Sequence, residues 1–348
     1  MTGDQKRPLR VAVLGAGANG GGIGADLARA GVDVTLIEQW PAHVEAIRRD
    51  GLRVVMPDGE SVTRIPILHL CEVATLREPF DIVLMLMKAY DAGWAARLIE
   101  PHLAADGLLI GVQNGMTAAT IAEVVGTSRT LGCVIEVSSE MDEPGVVMRH
   151  TPAARSWFAL GSLSVDGHPR LAEAAAVLSH AGTVAIVDDI LSAKWMKLVS
   201  NCTTLVSTAA LGLPMIAALE TPGMRELMVR AGNEALEVGV RDGRAILPIF
   251  GLDADDVARV DSLVEVLLDA LYAGFVLPST TTTVLHDWRK GRRSEAEQLN
   301  GFVAQRGAEL GIATPTNGAL VEVARRIERG ALAPHPSNAD LLLALASR

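Results

Sequence analysis

The first clear pattern along this chain is a run of four apolar residues, Val11-Ala-Val-Leu14, that stops at Gly15. A short continuous apolar run bounded by glycine predicts a buried strand, here residues 9–15. The amphipathic stretch from Gly20 to Ala30 predicts a helix, and residues 32–38, containing Val34-Thr-Leu-Ile-Glu38, predict a second strand. Asp81–Met87 and Leu108–Val112 are almost wholly apolar, as expected of strands covered on both faces of a parallel sheet. Arg129–Ile135 is a further strand candidate. Gly145–His150 and Trp157–Gly161 read as an antiparallel pair, Leu171–Ala181 as a helix and Val184–Val187 as a strand.

After Asp188 the texture changes. Apolar residues recur at helical spacing over Leu191–Leu211, Met224–Val240, Val257–Leu271 and Ser294–Leu310, broken by Pro248, Pro278 and a run of threonines. Ser294, followed by Glu295-Ala-Glu297, reads as a helix N-terminus. The chain therefore divides into an α/β region, residues 1–187, and an all-helical region, residues 188–348. At 348 residues it exceeds the size of one ordinary core, which agrees with two domains.

The segment Gly15-Ala-Gly17-Ala18-Asn19-Gly20 sits between the first strand and the first helix, and Glu38 ends the second strand. Each part of such a G-x-G-x-x-G turn has a job in holding a dinucleotide. The first glycine permits the tight turn, the second lets backbone approach a pyrophosphate, and the third lets helix and strand pack closely. The anion rests on free N–H groups at the helix start. The acid accepts hydrogen bonds from the ribose hydroxyls. The α/β region is thus expected to be a Rossmann-type dinucleotide-binding domain, with Gly15, Gly17, Ala18, Asn19, Gly20 and Glu38 at the cofactor.

Composition narrows the partners. The net charge is −10, with acids and bases interspersed and no basic stripe, so nucleic acid is not an expected partner. No apolar run approaches the ~20 residues that span a membrane, and the opening Met-Thr-Gly-Asp-Gln-Lys-Arg-Pro lacks the apolar core of a secretory signal. Cys71, Cys133 and Cys202 lie far apart in apolar or small-residue surroundings and read as buried thiols of a cytoplasmic protein. The eight histidines form no metal motif, and no metal is expected.

Neither tyrosine is followed four residues later by lysine, and there is no G-x-S-x-G elbow. Hydride transfer to a carbonyl still needs a proton donor for the oxygen, and a positioned lysine can serve. Lys194, Lys197 and Asn201 share a helix face by their spacing, which suits either a binding face or a solvated one. Lys88 follows the Asp81–Met87 strand and Gln113-Asn114-Gly115 follows the Leu108–Val112 strand, at the sheet edge where ligands bind in open α/β folds. A loop lysine and an Asn-Gly turn would fit the same spacing. Glu295 and Glu297 also suit a helix dipole.

Together these segments resemble the ketopantoate reductase (2-dehydropantoate 2-reductase) family, from about Leu9 to Asn317. The matching elements are the glycine turn, the strand before Lys88, Asn114-Gly115-Met116, Trp195-x-Lys197-x-x-x-Asn201, and Thr283-Val-Leu-x-Asp287 with Ser294-Glu295 and Asn300-Gly301. The resemblance implies an NAD(P)H-dependent oxidoreductase of pantothenate biosynthesis type, reducing a small branched 2-keto acid to the D-2-hydroxy acid. It implies Lys197 as general acid and Asn201 as a substrate-orienting residue. Asn114 would touch substrate and nicotinamide, Lys88 would lie near the cofactor, and Glu295 would accept from a substrate hydroxyl and tune the lysine. Thr283 stands where a carboxylate-binding serine is usual, and Asp287 is expected to be structural.

Two departures stand out. Where NADPH-using members carry an arginine, this chain has Ile37-Glu38-Gln39-Trp40. An acid there repels a 2′-phosphate and suits a free ribose diol, so Glu38 favours NADH although the family habit is NADPH. Arg48 and Arg49 could compensate, or be surface residues of the next helix. The chain is also long around Arg241–Val260. An NAD preference strengthens a reading as a dehydrogenase of another D-2-hydroxy acid. Alternatives of another kind are a hydroxyacid or polyol-phosphate dehydrogenase of the same two-domain plan, or a non-catalytic NAD(P) sensor. The apolar helices of the second domain suit a homodimer interface and a core equally.

Overall fold

The computed structural model describes residues 7–164, 166–248, 255 and 262–347. By internal contacts the chain divides into two compact units, with the boundary between Ile190 and Leu191.

The first unit is built on an eight-stranded sheet. Its strands are β1 (Arg10–Leu14), β2 (Asp33–Glu38), β5 (Ile67–His69), β6 (Phe80–Met85), β7 (Leu103–Gly111), β8 (Thr130–Glu136), β11 (Trp157–Ser162) and β12 (Thr183–Ile186), in the order β12-β11-β8-β7-β6-β1-β2-β5. From β5 to β8 all neighbours are parallel; β11 runs antiparallel to β8 and parallel to β12. Side-chain alternation explains why these runs are apolar throughout. Val11, Val13, Ile82, Leu84, Leu108 and Ile110 join one buried cluster, whereas Ala12, Leu14, Val83, Met85 and Leu109 join another on the opposite face. Burying each large aliphatic side chain contributes roughly 1.5–3 kcal/mol.

A second, four-stranded sheet was not expected. It consists of β3 (Leu52–Met56), β4 (Gly59–Thr63), β9 (Ser139–Glu140) and β10 (Val146–Arg149), in the order β4-β3-β10-β9. The expected pairing of Gly145–His150 with Trp157–Gly161 is therefore wrong. β10 pairs with β3 and β9, and β11 pairs with β8. Between them, Pro152 caps a short 3-10 turn, Ala153–Arg155, that breaks the hairpin. Arg149 is buried and draws β10 onto helix α1 (Ala18–Arg29).

Helix α1 lies between the two sheets, which accounts for its glycines. A Cβ on Gly24 would stand 2.4 Å from Leu36 of β2. A Cβ on Gly21 would stand 3.2 Å from Val147 of β10 and 3.3 Å from Leu52 of β3. Helix α2 (Pro41–Asp50), α3 (Ala92–Ile99), α4 (Ala118–Val125) and α5 (Leu171–Leu178) complete the unit.

The second unit is helical. Helix α6 (Ile190–Leu211) begins at the boundary, and α7 (Met215–Glu220), α8 (Met224–Arg241), α9 (Leu263–Phe275), α10 (Thr283–Arg289), α11 (Asn300–Leu310), α12 (Pro315–Glu328) and α13 (Asn338–Ala346) follow. Val206, Leu227, Leu285, Leu320, Val323 and Leu342 contribute to its core. Helix α6 is buried despite its many hydroxyl residues. Thr203, Thr204, Ser207 and Thr208 donate to the carbonyls of Val199, Ser200, Thr203 and Thr204, four residues back, at 2.8–3.1 Å. Part of the long Arg241–Val260 region and the start of the expected Val257–Leu271 helix lie outside the described residues. The expected helix start at Ser294 does not form: α11 begins at Asn300, after Leu299 with φ −106° and ψ −95°. The Ser294 hydroxyl instead donates to Glu328 at 2.6 Å.

Candidate active site

Parallel register brings several sequence candidates to one edge of the large sheet. Leu14 pairs with both Ile37 and Met85, and Met85 with Gly111, so the chain leaves β1, β2, β6 and β7 at the same level. The glycine turn, Glu38, Lys88 and Asn114 follow these strand ends. Gly15 has φ +96°, and a Cβ there would meet the Met87 nitrogen at 2.7 Å. Only glycine can hold the turn that close to the segment leading into Lys88. A Cβ on Gly20 would stand 2.0 Å from the Gly15 carbonyl, so the helix start is pressed onto the turn. Gly17 differs: nothing lies within 4 Å of a Cβ built on it. Gly17 is the N-cap of α1, Ala18 and Asn19 are its first residues, and the Asn19 Oδ1 is buried without a hydrogen-bond partner.

Glu38 is buried, and its Oε1 accepts the backbone N–H groups of Gln39 and Trp40, each at 2.9 Å. Arg48 is paired with Glu72 and Glu45 and donates to the Ile67 carbonyl at 3.0 Å, while Arg49 pairs with Asp50 at 2.7 Å. Both arginines thus have carboxylate partners. Lys88 caps the 3-10 turn Ala89–Asp91, and Asn114 precedes Gly115, whose φ is +73°. Beside it, Thr117 donates to the Gln113 side chain at 3.0 Å.

In the helical unit, Trp195 fixes the rotation of α6. Its indole N–H donates to the Ala235 carbonyl of α8 at 2.9 Å, and its ring occupies the space above Gly239, where a Cβ would stand 2.1 Å from Nε1. Lys197 lies two residues, about 200°, further round and so points away from α8. It is part-exposed, whereas Asn201, one turn on, is buried. Two other segments dock on the next turns of α6. Asn300 donates to the Cys202 carbonyl at 3.0 Å, and Thr282, the residue before Thr283, donates to the Leu205 carbonyl at 3.0 Å. Glu295, buried, opens the turn before α11, its carbonyl accepting from Gln298 and Leu299 at 2.9 and 3.0 Å. Lys197, Asn201, Thr283 and Glu295 are therefore carried by segments that meet along a short length of α6.

Three features escaped the sequence reading. His43, fully buried on α2, bonds the glycine turn. Asn317 accepts from Asn300 at 2.8 Å and donates to Glu234 at 2.8 Å. Cys71, expected to be buried, is exposed because it lies on the outer side of a 3-10 turn, Leu70–Thr75. Among the described residues, no group of His, Cys, Asp and Glu is arranged to hold a metal, and no helix is long and apolar enough to cross a membrane.

Comparison with known proteins agrees with this architecture. The family described as "Ketopantoate reductase PanE/ApbA" matches residues 11–163, and "Ketopantoate reductase PanE/ApbA C terminal" matches residues 189–328. A 2-dehydropantoate 2-reductase of Halobacterium salinarum is 29% identical over 324 residues, covering 92% of this chain and 99% of its own. The crystal structure of a PanE/ApbA family ketopantoate reductase from Ralstonia eutropha JMP134 is 30% identical, with a TM-score of 0.77, covering 92% of this chain and 99% of that one. D-mandelate dehydrogenase in a ternary structure with NADH and anilino(oxo)acetate shares the fold at 21% identity, with a TM-score of 0.81 over 92% of this chain and 99% of its own. Both halves of the sequence and its solved relatives thus agree: the chain belongs to the ketopantoate reductase family.

Proposed function

We propose that this family member reduces a small branched 2-keto acid to its D-2-hydroxy acid with Lys197 as the general acid and NADH as the preferred reductant. That it is an NAD(P)-dependent 2-keto acid reductase follows from the family. The residue roles and the choice of dinucleotide are our reading.

The observation that carries the reading is the gathering of the glycine turn, Glu38, Lys88 and Asn114 at one edge of the parallel sheet. The open face of Gly17 and the buried Asn19 Oδ1 suit a pyrophosphate and its flanking polar atoms. Gly15, Gly17, Ala18, Asn19 and Gly20 would hold that group, with Lys88 and Asn114 toward the nicotinamide end. A reduced nicotinamide supplies hydride when bound. The protein's own task is to bind the keto acid, keep water out and move one proton. Lys197 donates that proton to the ketone oxygen, Asn201 and Thr283 orient the substrate through its polar groups, and Glu295 accepts from a substrate hydroxyl.

The NADH preference rests on Glu38 and on the pairing of both nearby arginines. A 2′-phosphate beside Glu38 would meet repulsion of order a few kcal/mol in a partly solvated site. Oxidation of NADH and NADPH, followed at 340 nm against a panel of branched 2-keto acids that includes ketopantoate, tests the reading. Turnover with NADH and at least one such acid is expected. No turnover with any of them, despite tight dinucleotide binding, would favour a sensor instead.

A further inference from the structure

His43 lies outside every motif of the family resemblance, yet its imidazole is wholly buried beneath the glycine turn. Its Nε2 lies 3.1 Å from the Ala16 carbonyl, and its Nδ1 accepts the Gly145 N–H at 2.8 Å. Each partner dictates a protonation state. An N–H donor on Nδ1 requires that nitrogen to be bare, and a carbonyl beside Nε2 requires a proton there. The ring is therefore the neutral Nε2–H tautomer. Burial also pushes the pKa of His43 down.

Ala16 precedes the N-cap of α1, so its carbonyl stands outside the ladder of helix hydrogen bonds. A buried carbonyl in that position needs a partner, and His43 supplies it. The Ala16 carbonyl and the Gly17 N–H belong to one planar trans peptide group and point in opposite directions. Holding the carbonyl down on His43 aims the Gly17 N–H the other way, out of the turn. The His43 ring also stacks on Trp40, with centroids 5.8 Å apart and planes 8° from parallel. The Trp40 N–H in turn binds the Glu38 carboxylate at 2.9 Å.

We propose that His43 is a positioning residue for the dinucleotide: its grip on the Ala16 carbonyl orients the Gly17 peptide toward the pyrophosphate. The proposal rests on the reading of the glycine turn given above. Two isosteres separate the two bonds of the ring. Asn places an acceptor where Nδ1 stands and loses the Ala16 bond, whereas Gln places a donor where Nε2 stands and keeps it. His43→Asn is expected to raise the NADH dissociation constant and KM about five- to tenfold, the loss of one hydrogen bond, with kcat at saturating NADH within about twofold. His43→Gln is expected to keep NADH affinity within about twofold while losing thermal stability comparably. Equal effects of the two variants on NADH, or none from either, would reduce His43 to a core residue and overturn the proposal.

A measurement on the unaltered protein is independent of how the variants fold. With 15N-labelled histidine, the His43 signals are expected to be those of the neutral Nε2–H tautomer. The Nε2–H signal is expected to shift on adding NADH or ADP-ribose, and not on adding adenosine, which lacks the pyrophosphate. A signal unmoved by NADH overturns the proposal. Failure of the unaltered chain to bind NADH or NADPH at all overturns the glycine-turn reading, and this proposal with it.

Discussion

Arg149 and Asp26 form an ion pair almost closed to solvent, with 1% and 6% of their side chains exposed. The guanidinium also donates to the Thr151 carbonyl at 2.8 Å, the Ser156 hydroxyl at 2.9 Å and the Ala181 carbonyl at 3.0 Å. It thereby ties the small sheet and the edge of the large one to helix α1. Asp26 also pairs with Arg29, 37% exposed, so removing Arg149 leaves the buried carboxylate with that more exposed partner alone, whereas removing both buried charges need not leave one behind. Arg149→Met is expected to cost about 3 kcal/mol in urea denaturation. The double variant with Asp26→Asn is expected to recover much of that loss; a double variant as unstable as the single would show that the charge pair is not the source.

Trp195 turns α6 so that Lys197 faces away from α8. Lys197→Ala is expected to lower kcat by at least about 100-fold, with NADH binding by fluorescence titration nearly unchanged. Near-normal turnover would remove the general-acid role.

The Glu38 Oε1 is held by two backbone N–H groups, while Arg48 and Arg49 pair with Glu72 and Asp50. Glu38→Ala is expected to improve kcat/KM for NADPH relative to NADH by about tenfold, roughly 1.4 kcal/mol. A wild-type chain that already favours NADPH would refute the assignment.

His43 also makes stability depend on pH in a defined direction. Its pKa is lowered in the folded state, so the unfolded chain binds the extra proton first. The stabilisation is complete above the unfolded value of about 6.5 and is lost as pH falls from there through the folded value. Urea midpoints of wild type and His43→Gln are therefore expected to converge between about pH 7 and pH 5. A constant gap across that range would show that His43 does not titrate on unfolding.

The three cysteines differ in reach. Cys71 is exposed, whereas Cys133 and Cys202 are buried, and burial with Glu234 nearby raises the Cys202 thiol well above its usual pKa. One fast-reacting thiol per chain is expected with a disulfide reagent under native conditions, and none in Cys71→Ser. Two fast thiols would contradict the burial of Cys133 or of Cys202.

Much of the architecture is legible in the sequence because it follows from short-range rules. β1, β2, β6 and β7 are apolar runs ending at glycine, acid or polar residues, and α6 and α8 show helical spacing. The small sheet is not legible: β4 is mostly polar, β9 is two residues long, β3 finds its β10 partner about 90 residues away, and the helix they pack against is one-third glycine. His43 was silent for a related reason. Its role depends on Gly145, 102 residues away, and on a carbonyl that no residue type signals. Asn317 likewise takes its place from Asn300, Ala231 and Glu234, none of them near it in the sequence. The site residues were found through the resemblance of several motifs taken together; spacing alone left Lys197 and Asn201 open to a solvated reading.

Helix α1 carries Gly20, Gly21, Gly22 and Gly24 within five positions, each costing about 1 kcal/mol of helix propensity relative to alanine. By itself this segment has little reason to be a helix. Its order is borrowed from the two sheets that enclose it, so it is stable as a helix only while both are in place. The turn that begins this helix consequently keeps its shape only as long as two sheets hold it, and amide exchange in α1 should report the integrity of both sheets at once.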